Sequence, residues 1–351
     1  MKHCGWILWT VVLMMVVLSG CVTAEYRVTP PDIPKQVIVD EPFTVMVEVT
    51  NIGRAEGQFV AELTLDGTVV ETSEMIIATG QTKTISLTHE IDDSGTYELS
   101  LNGYSSEVIA MTPAELASNA YNNSIEASAI QGDMILDMDM KTSESGEEYD
   151  VALYTETEYI FDNENKEMEM VTGVIGVASD WEGIEGTVDI YIIDDTLYTR
   201  EDISDGISEW QREDVPTDYW ENIQLIQQQA KIGESAEVDY LGMEKVKDVN
   251  CFVLQIKPDQ DVVADVVFSQ LAQITGEEAD EMLEFTAELV LMLMDISMKQ
   301  WVSEDELFIK RAELDMDIDL SAFGFLMGIS LDLNVESYNE PVSIRLPISA
   351  N

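Results

Sequence analysis

Residues able to make or break bonds are scarce in this 351-residue chain. It has two histidines, His3 and His89, and three cysteines, Cys4, Cys21 and Cys251. His89 follows a strand-like run, where a surface position accounts for it. No Ser–His–Asp or Cys–His set can be assembled, and CxxC, HExxH, GxGxxG and GxxxxGKS spacings do not occur. No cofactor is expected, and the chain reads as a non-enzyme. Carboxylates are abundant, so counting alone leaves a carboxylate-pair hydrolase open, but no pair stands out. Asp315, Asp317 and Asp319 fall on one strand face at steps of about 7 Å. They lack the glycine and late glutamate of a calcium loop, so a solvated face is the expected reading and no metal site is assigned.

The charge balance excludes one class of partner. Asp and Glu number 69 against 17 Lys and Arg, a net charge of −52. Such a surface repels the phosphates of nucleic acids and anionic lipid headgroups, so no nucleic-acid partner is expected. The acids are spread along the chain and alternate with apolar residues, which points to folded, acid-coated faces rather than one disordered block. Hydrophobic content is 46% and charged content 25%, both ordinary for globular protein.

The remaining chemistry is at the start. Lys2 is the only formal charge before Glu25, and residues 5–17 are apolar apart from Thr10. A charged start, an apolar run and a small-residue end form the layout of an export signal. Leu18-Ser19-Gly20-Cys21 resembles a lipobox, in which the peptidase cuts before the cysteine and the thiol carries a diacylglyceryl group. The resemblance implies a signal peptide over 1–20, lipidation at Cys21, and anchorage to the outer face of the cytoplasmic membrane or cell envelope. An uncleaved membrane anchor is the alternative, since residues 4–24 are uncharged and about 20 residues suffice to span.

After the leader, residues 21–36 hold Pro30, Pro31 and Pro34 and read as a tether. Period-two runs follow at 43–49 and 59–65, with further strand-like runs at 69–74, 82–89, 97–101 and 104–110. Asp66-Gly67 and Asn102-Gly103 are hairpin signals. About seven short strands within 37–111 give an immunoglobulin-like β-sandwich. Val47-Glu48-Val49-Thr50-Asn51-Ile52-Gly53, Leu65-Asp66-Gly67 and Ser94-Gly95-Thr96-Tyr97 resemble the CARDB-type modules of prokaryotic surface proteins.

Thr112-Pro113-Ala114-Glu115 is a helix start and opens a second domain over 112–351. A short helix to about Tyr121 is expected. Asn122-Asn123-Ser124 is a glycosylation sequon expected in a surface loop, with Asn122 as acceptor. Met134, Leu136, Met138 and Met140 alternate with Asp133, Ile135, Asp137, Asp139 and Lys141, Leu314, Met316, Ile318 and Leu320 alternate with Asp315, Asp317 and Asp319, and Ile329, Leu331, Leu333 and Val335 alternate with Ser330, Asp332, Asn334 and Glu336. These read as long antiparallel strands, apolar on one face and acidic on the other. Further strands are expected at 148–161, 166–171, 188–200, 237–240 and 249–257, and apolar helices at 217–231, 261–274 and 277–294. A sheet of eight or more long strands curls, so this α+β domain is expected to be a curved half-barrel with inserted helices.

The stretch from about 113 to 349 resembles the LolA-like and LppX/LprG-like lipoproteins. The carriers are Ile190-Tyr191-Ile192-Ile193-Asp194-Asp195-Thr196-Leu197-Tyr198, Glu209-Trp210-Gln211, Asp248-Val249-Asn250-Cys251-Phe252-Val253-Leu254, Lys299-Gln300-Trp301-Val302 and the terminal Tyr338-Asn339-Glu340-Pro341. The resemblance implies a half-barrel with a helical lid enclosing an apolar cavity for acyl or isoprenoid chains. Met134, Leu136, Met138, Met140, Leu314, Met316, Ile318, Leu331 and Leu333 would line it, with Phe285 and Leu289 from the lid. The alternative is an adhesion or scaffold protein with a solid core, whose acidic face binds a surface protein or glycan.

Overall fold

The structure is a computed structural model that describes residues 23–144, 147–179, 181–203, 206–215, 236–259, 294–321 and 324–347. The chain divides into two compact units, residues 1–112 and 113–351.

The first unit is a sandwich of two sheets. One holds β1 (Tyr26–Val28), β3 (Phe43–Asn51) and β6 (Thr82–His89). The other holds β2 (Gln36–Ile38), β8 (Tyr104–Met111), β7 (Gly95–Leu101), β4 (Gly57–Leu65) and β5 (Thr68–Ile77) in that order. Period-two alternation sends Val45, Val47, Val49, Ala61, Leu63, Leu99 and Leu101 into a dry core between them. Asp66-Gly67 and Asn102-Gly103 have positive φ at both positions, the geometry that suits the twist of a two-residue hairpin. Buried Asn51 holds the β3–β4 turn. Its amide donates to the carbonyls of Ala55 and Ile77, both at 2.8 Å, and its carbonyl accepts from the Gly53 N–H.

The stretch expected to be a tether is part of this sandwich. β1 pairs antiparallel with β3, and the carbonyls of Thr23 and Glu25 accept from the Arg54 and Ile52 N–H groups. β2 pairs parallel with β8. Three-residue strands are too short to show a period, and Pro30, Pro31 and Pro34 lie between them, where no ladder bond is needed.

The second unit opens with helix α1 (Pro113–Ile125), which buries Leu116, Ala117, Ala120 and Ser124. It runs one turn past the expected end because Ser124 docks. The Ser124 hydroxyl donates to the Ala120 carbonyl at 2.7 Å and accepts the Ile309 N–H at 3.2 Å. The sequon therefore sits in a helix rather than a loop. Asn122 is exposed, but Ser124 is fully buried and engaged.

A twelve-stranded antiparallel sheet follows and curls into a half-barrel. One wing holds β9 (Ala129–Glu144), β10 (Glu147–Asp162), β11 (Glu167–Ala178), β12 (Trp181–Ile193), β13 (Thr196–Ile203) and β14 (Gly206–Ile207), with β15 (Gln211–Asp214) also on β13. The other holds β16 (Glu237–Val246), β17 (Val249–Lys257), β18 (Met294–Ser303), β19 (Ile309–Leu320) and β20 (Phe325–Tyr338). The chain walks outward from β9 and returns inward to β20, so its first and last long strands pair at the centre.

Several expectations change: β11 runs to Ala178 rather than ending at 171, β12 begins at Trp181 rather than 188, and β16 runs to Val246 rather than 240. The run 188–200 is two strands joined at Asp194-Asp195, both at positive φ; aspartate tolerates that region, so the turn needs no glycine. Met294 opens β18, paired with Ile318, instead of ending a helix. The helices expected at 217–231 and 261–274, and the rest of 277–294, lie outside the described residues.

Close packing at the centre depends on Gly132. A β-carbon there would collide with the Asn334 carbonyl oxygen and the Tyr159 hydroxyl, which itself donates to that carbonyl at 3.3 Å. Gly132→Ala is expected to cost about 1–3 kcal/mol through overpacking. Urea unfolding should show it as a lower midpoint at unchanged slope.

Candidate functional site

Strand register brings the nine described candidate residues onto one face of three adjacent strands, β19, β20 and β9. Leu314 lies opposite Leu331, and Leu331 opposite Leu136. Met316 is level with Ile329 and Met138, and Ile318 with Met327 and Met140. Leu333 is level with Met134. Phe285 and Leu289, the remaining candidates, lie outside the described residues, as does Cys21.

The same rows continue onto strands outside the candidate set. Met298, Ile296 and Met294 extend them on β18, and Thr155, Leu153 and Val151 on β10. Local pattern hides both extensions. Met294 closes a helix-like apolar stretch, and Thr155 and Thr157 break the apolar alternation of β10. Thr157 is buried, and its hydroxyl shares a 3.0 Å hydrogen bond with that of Thr172 across β10 and β11. Buried Gln300 places its amide 3.5 Å from the Met298 sulfur.

Apolar residues at the two ends of the face form packed clusters. Ile130, Tyr159 and Val335 pack with Met134, Phe161, Phe308 and Leu333 at one end. Met294 and Ile318 pack with Met316, Leu320, Phe325 and Met327 at the other. Between them Leu136, Met138, Leu153, Leu314, Ile329 and Leu331 are half-buried. The sandwich core differs, with Val45, Val49, Leu63, Leu99 and Leu101 wholly inaccessible.

On the opposite face of β9 Asp133 lies opposite Glu158, Ile135 lies between Glu156 and Asp332 of the flanking strands, and Asp137 and Asp139 follow along the strand. Asp315, Asp317 and Asp319 continue it on β19. Among the described residues no three His, Cys, Asp or Glu side chains are arranged to hold a metal ion. A cavity of about 210 Å³ opens here beside Asp133, Glu158, Glu169 and Glu336.

This face is less uniformly solvated than the alternation implies. Trp301 is buried with Cys251 and Val253 in a small second core. Its indole N–H donates to Glu244 at 2.8 Å, and Lys299 and Arg311 lie over its ring at 4.5 and 4.8 Å. Arg311 also pairs with Asp332 and Glu313. On the other wing the buried Asp189 accepts from Arg200, which stacks on Trp210 at 4.9 Å. Ile344 and Leu346 of the C-terminal stretch pack there on Tyr191 and Tyr198. In the first unit His89 is partly buried, 3.9 Å from Glu71, and no catalytic set surrounds it among the described residues.

The CARDB family model matches residues 28–112. Residues 28–112 are a CARDB domain. No curated protein matches the chain. Among solved structures, LprF from Mycobacterium bovis is 10% identical with a TM-score of 0.37, covering 67% of this chain and 96% of its own. The lipoprotein LppX of Mycobacterium tuberculosis is 12% identical with a TM-score of 0.30, covering 67% of this chain and 100% of its own. A domain from Vibrio parahaemolyticus assigned to outer membrane lipoprotein sorting is 11% identical with a TM-score of 0.18, over 66% of this chain and 93% of its own. Among the described residues no helix is long and apolar enough to cross a membrane.

Burial raises the Tyr159 and Tyr338 hydroxyls well above the usual phenol range. Burial and the neighbouring Glu169 carboxylate push Tyr191 up to about 12. A raised folded pKa means that the folded state holds its proton longer, so stability is full below the ordinary value near 10 and falls as pH rises from there. These three phenols are expected not to titrate near pH 10 while the protein is folded. Phenolate absorbance followed with circular dichroism should show Tyr159 and Tyr338 ionising only as the sheet unfolds.

Proposed function

We propose that the second unit binds an uncharged apolar ligand, an acyl or isoprenoid chain, against its uncharged sheet face, and that it does so without catalysis. One observation carries this reading. Across β18, β19, β20, β9, β10, β11 and β12 the register places no Asp, Glu, Lys or Arg on that face between its two end clusters. This holds in a chain one quarter of whose residues are charged. A charged ligand group would lose its hydration there with no counter-charge. An alkyl chain would gain about 0.8 kcal/mol for each methylene removed from water. Methionines at 134, 138, 140, 298, 316 and 327 suit an irregular chain, because their unbranched side chains repack cheaply. The half-buried middle of the face, set against the dry core of the sandwich, supports a ligand over a solid core.

The reading extends to location. Lipidation at Cys21 would fix the protein outside the cytoplasmic membrane; two acyl chains anchor stably where one is marginal. A membrane-fixed binder with this fold holds or presents its ligand at the surface to which it is tethered.

The test is retention of lipid by the purified chain. Delipidated protein refilled from a membrane lipid extract is expected to keep neutral lipid in native mass spectrometry. Leu136→Gln, on the uncharged face, should reduce retention at least about tenfold, while Asp137→Asn on the other face should leave it unchanged. No retained lipid in the folded wild type, or equal retention by Leu136→Gln, would overturn the reading. For the anchor, the wild type extracted from membranes should have the mass of residues 21–351 plus a diacylglyceryl group, and Cys21→Ser should lose that added mass and keep residues 1–20. A wild type that keeps residues 1–20 and carries no lipid mass would be held by its apolar leader instead.

A further inference from the structure

The acidic face carries an apolar interruption that neither the sheet core nor the ligand face uses. Tyr154 on β10 lies opposite Ile175 on β11, and Ala152 opposite Val177. All four point away from the uncharged face, because Leu153 and Gly176 between them belong to it. Ile175 is 50% exposed, Val177 55% and Tyr154 36%.

The surroundings of this strip are acidic. On β9 the next positions in the same rows are Asp137, opposite Tyr154, and Asp139, opposite Ala152. On β12 the next position beyond Ile175 is Glu185. Along β10 the same face continues to Asp150 and Glu156. Lys141, opposite Asp150, is the one cation at the rim among the described residues. A β-branched pair and an aromatic ring left in water on a broad, strongly charged face are a mark of an interaction site.

We propose that this strip, Ala152, Tyr154, Ile175 and Val177 with its carboxylate rim, is a docking surface for a cationic amphipathic polypeptide segment of another exported protein. Charge complementarity selects this occupant. A second copy would bring the same carboxylates against themselves, and a membrane surface or a polyanionic glycan would meet a repelling rim. Alternate residues of an extended segment are about 7 Å apart, the same step as between the Tyr154–Ile175 and Ala152–Val177 pairs. Apolar side chains at that spacing would cover the strip while Lys or Arg between and beside them reach the rim. The surface stands independently of any ligand on the opposite face.

The experiment uses the full mature chain and three labelled peptides of equal length: alternating Leu and Lys, alternating Ser and Lys, and alternating Leu and Glu. Fluorescence anisotropy is expected to show binding of the Leu–Lys peptide, weakening with added salt as screening grows, with at least about tenfold weaker binding of Ser–Lys and none of Leu–Glu. The double variant Ile175→Thr/Val177→Thr keeps β-branched residues at exposed positions, so its thermal midpoint should hold while Leu–Lys binding falls about tenfold. Asp137→Asn/Asp139→Asn should also weaken binding. Glu62→Gln/Glu74→Gln, the same charge change on the sandwich, should not. Equal affinity for Leu–Lys and Ser–Lys, or equal effects of the two charge variants, would reduce the binding to unspecific attraction by a polyanion and overturn the proposal. So would self-association of the wild type, or adsorption to phosphatidylcholine vesicles, if either is lost in Ile175→Thr/Val177→Thr while peptide binding is not.

Discussion

The second unit depends on keeping two chemistries apart across a single layer of backbone. One face of its sheet carries methionine, leucine, isoleucine and threonine; the other carries rows of aspartate and glutamate. Side chains on a strand alternate with period two, so a register slip of one residue would exchange the faces. In β9 that slip would set Asp137 and Asp139 beside Leu331 and Ile329, which now lie level with Leu136 and Met138. Removing even one carboxylate from water costs several kcal/mol. The alternation is thus both the signal for the strands and the device that fixes their pairing.

Segregation has a cost on the acidic side, because like charges on adjacent strands repel. Two arginines lie among these carboxylates. Arg311 sits between Asp332 and Glu313, and Arg200 covers the buried Asp189. Both also lie over indole rings, Trp301 and Trp210. Each arginine therefore joins a carboxylate to an indole ring, and the face holds islands of packing amid solvated acid. Among the described residues, the Ala152–Val177 and Tyr154–Ile175 pairs have no such arginine over them.

The long elements were legible in the sequence because amphipathic alternation sustained over ten or more residues matches the strand period and fits no helix. The sandwich strands were legible for the same reason, helped by Asp66-Gly67 and Asn102-Gly103. What escaped was encoded non-locally. β1 and β2 are three-residue strands defined by the strands they join. The Asp194-Asp195 turn uses two aspartates where glycine would have announced it. The end of α1 is set by Ser124 meeting Ile309, a contact between residues 185 positions apart. The nine described candidates were found together because each lies in an alternating run. Met298 and Leu153 share their rows but only register reveals it. The exposed Ile175–Val177 pair was invisible, since it lies past residue 171, where the expected strand ends, in the run Val174-Ile175-Gly176-Val177, which has no polar alternation.

The order of strands bears on assembly. β9 begins the sheet and β20 ends it, yet they lie side by side at its centre, and Asn334 donates to Asp133 across 201 positions. Until β20 docks, the uncharged face consists of two wings, each exposing apolar edges. Closure of such a long loop is slow, because chain entropy is lost before the distant contacts form. An apolar surface waiting that long invites aggregation, and the acidic opposite face opposes it, since every wing carries a repelling layer on its back. The same charge excess that suits the surface of the folded protein thus protects the unfinished sheet. The rows Leu314–Leu331–Leu136 and Met316–Ile329–Met138 exist only once β20 has joined the wings, so the central face and the finished fold form in one step.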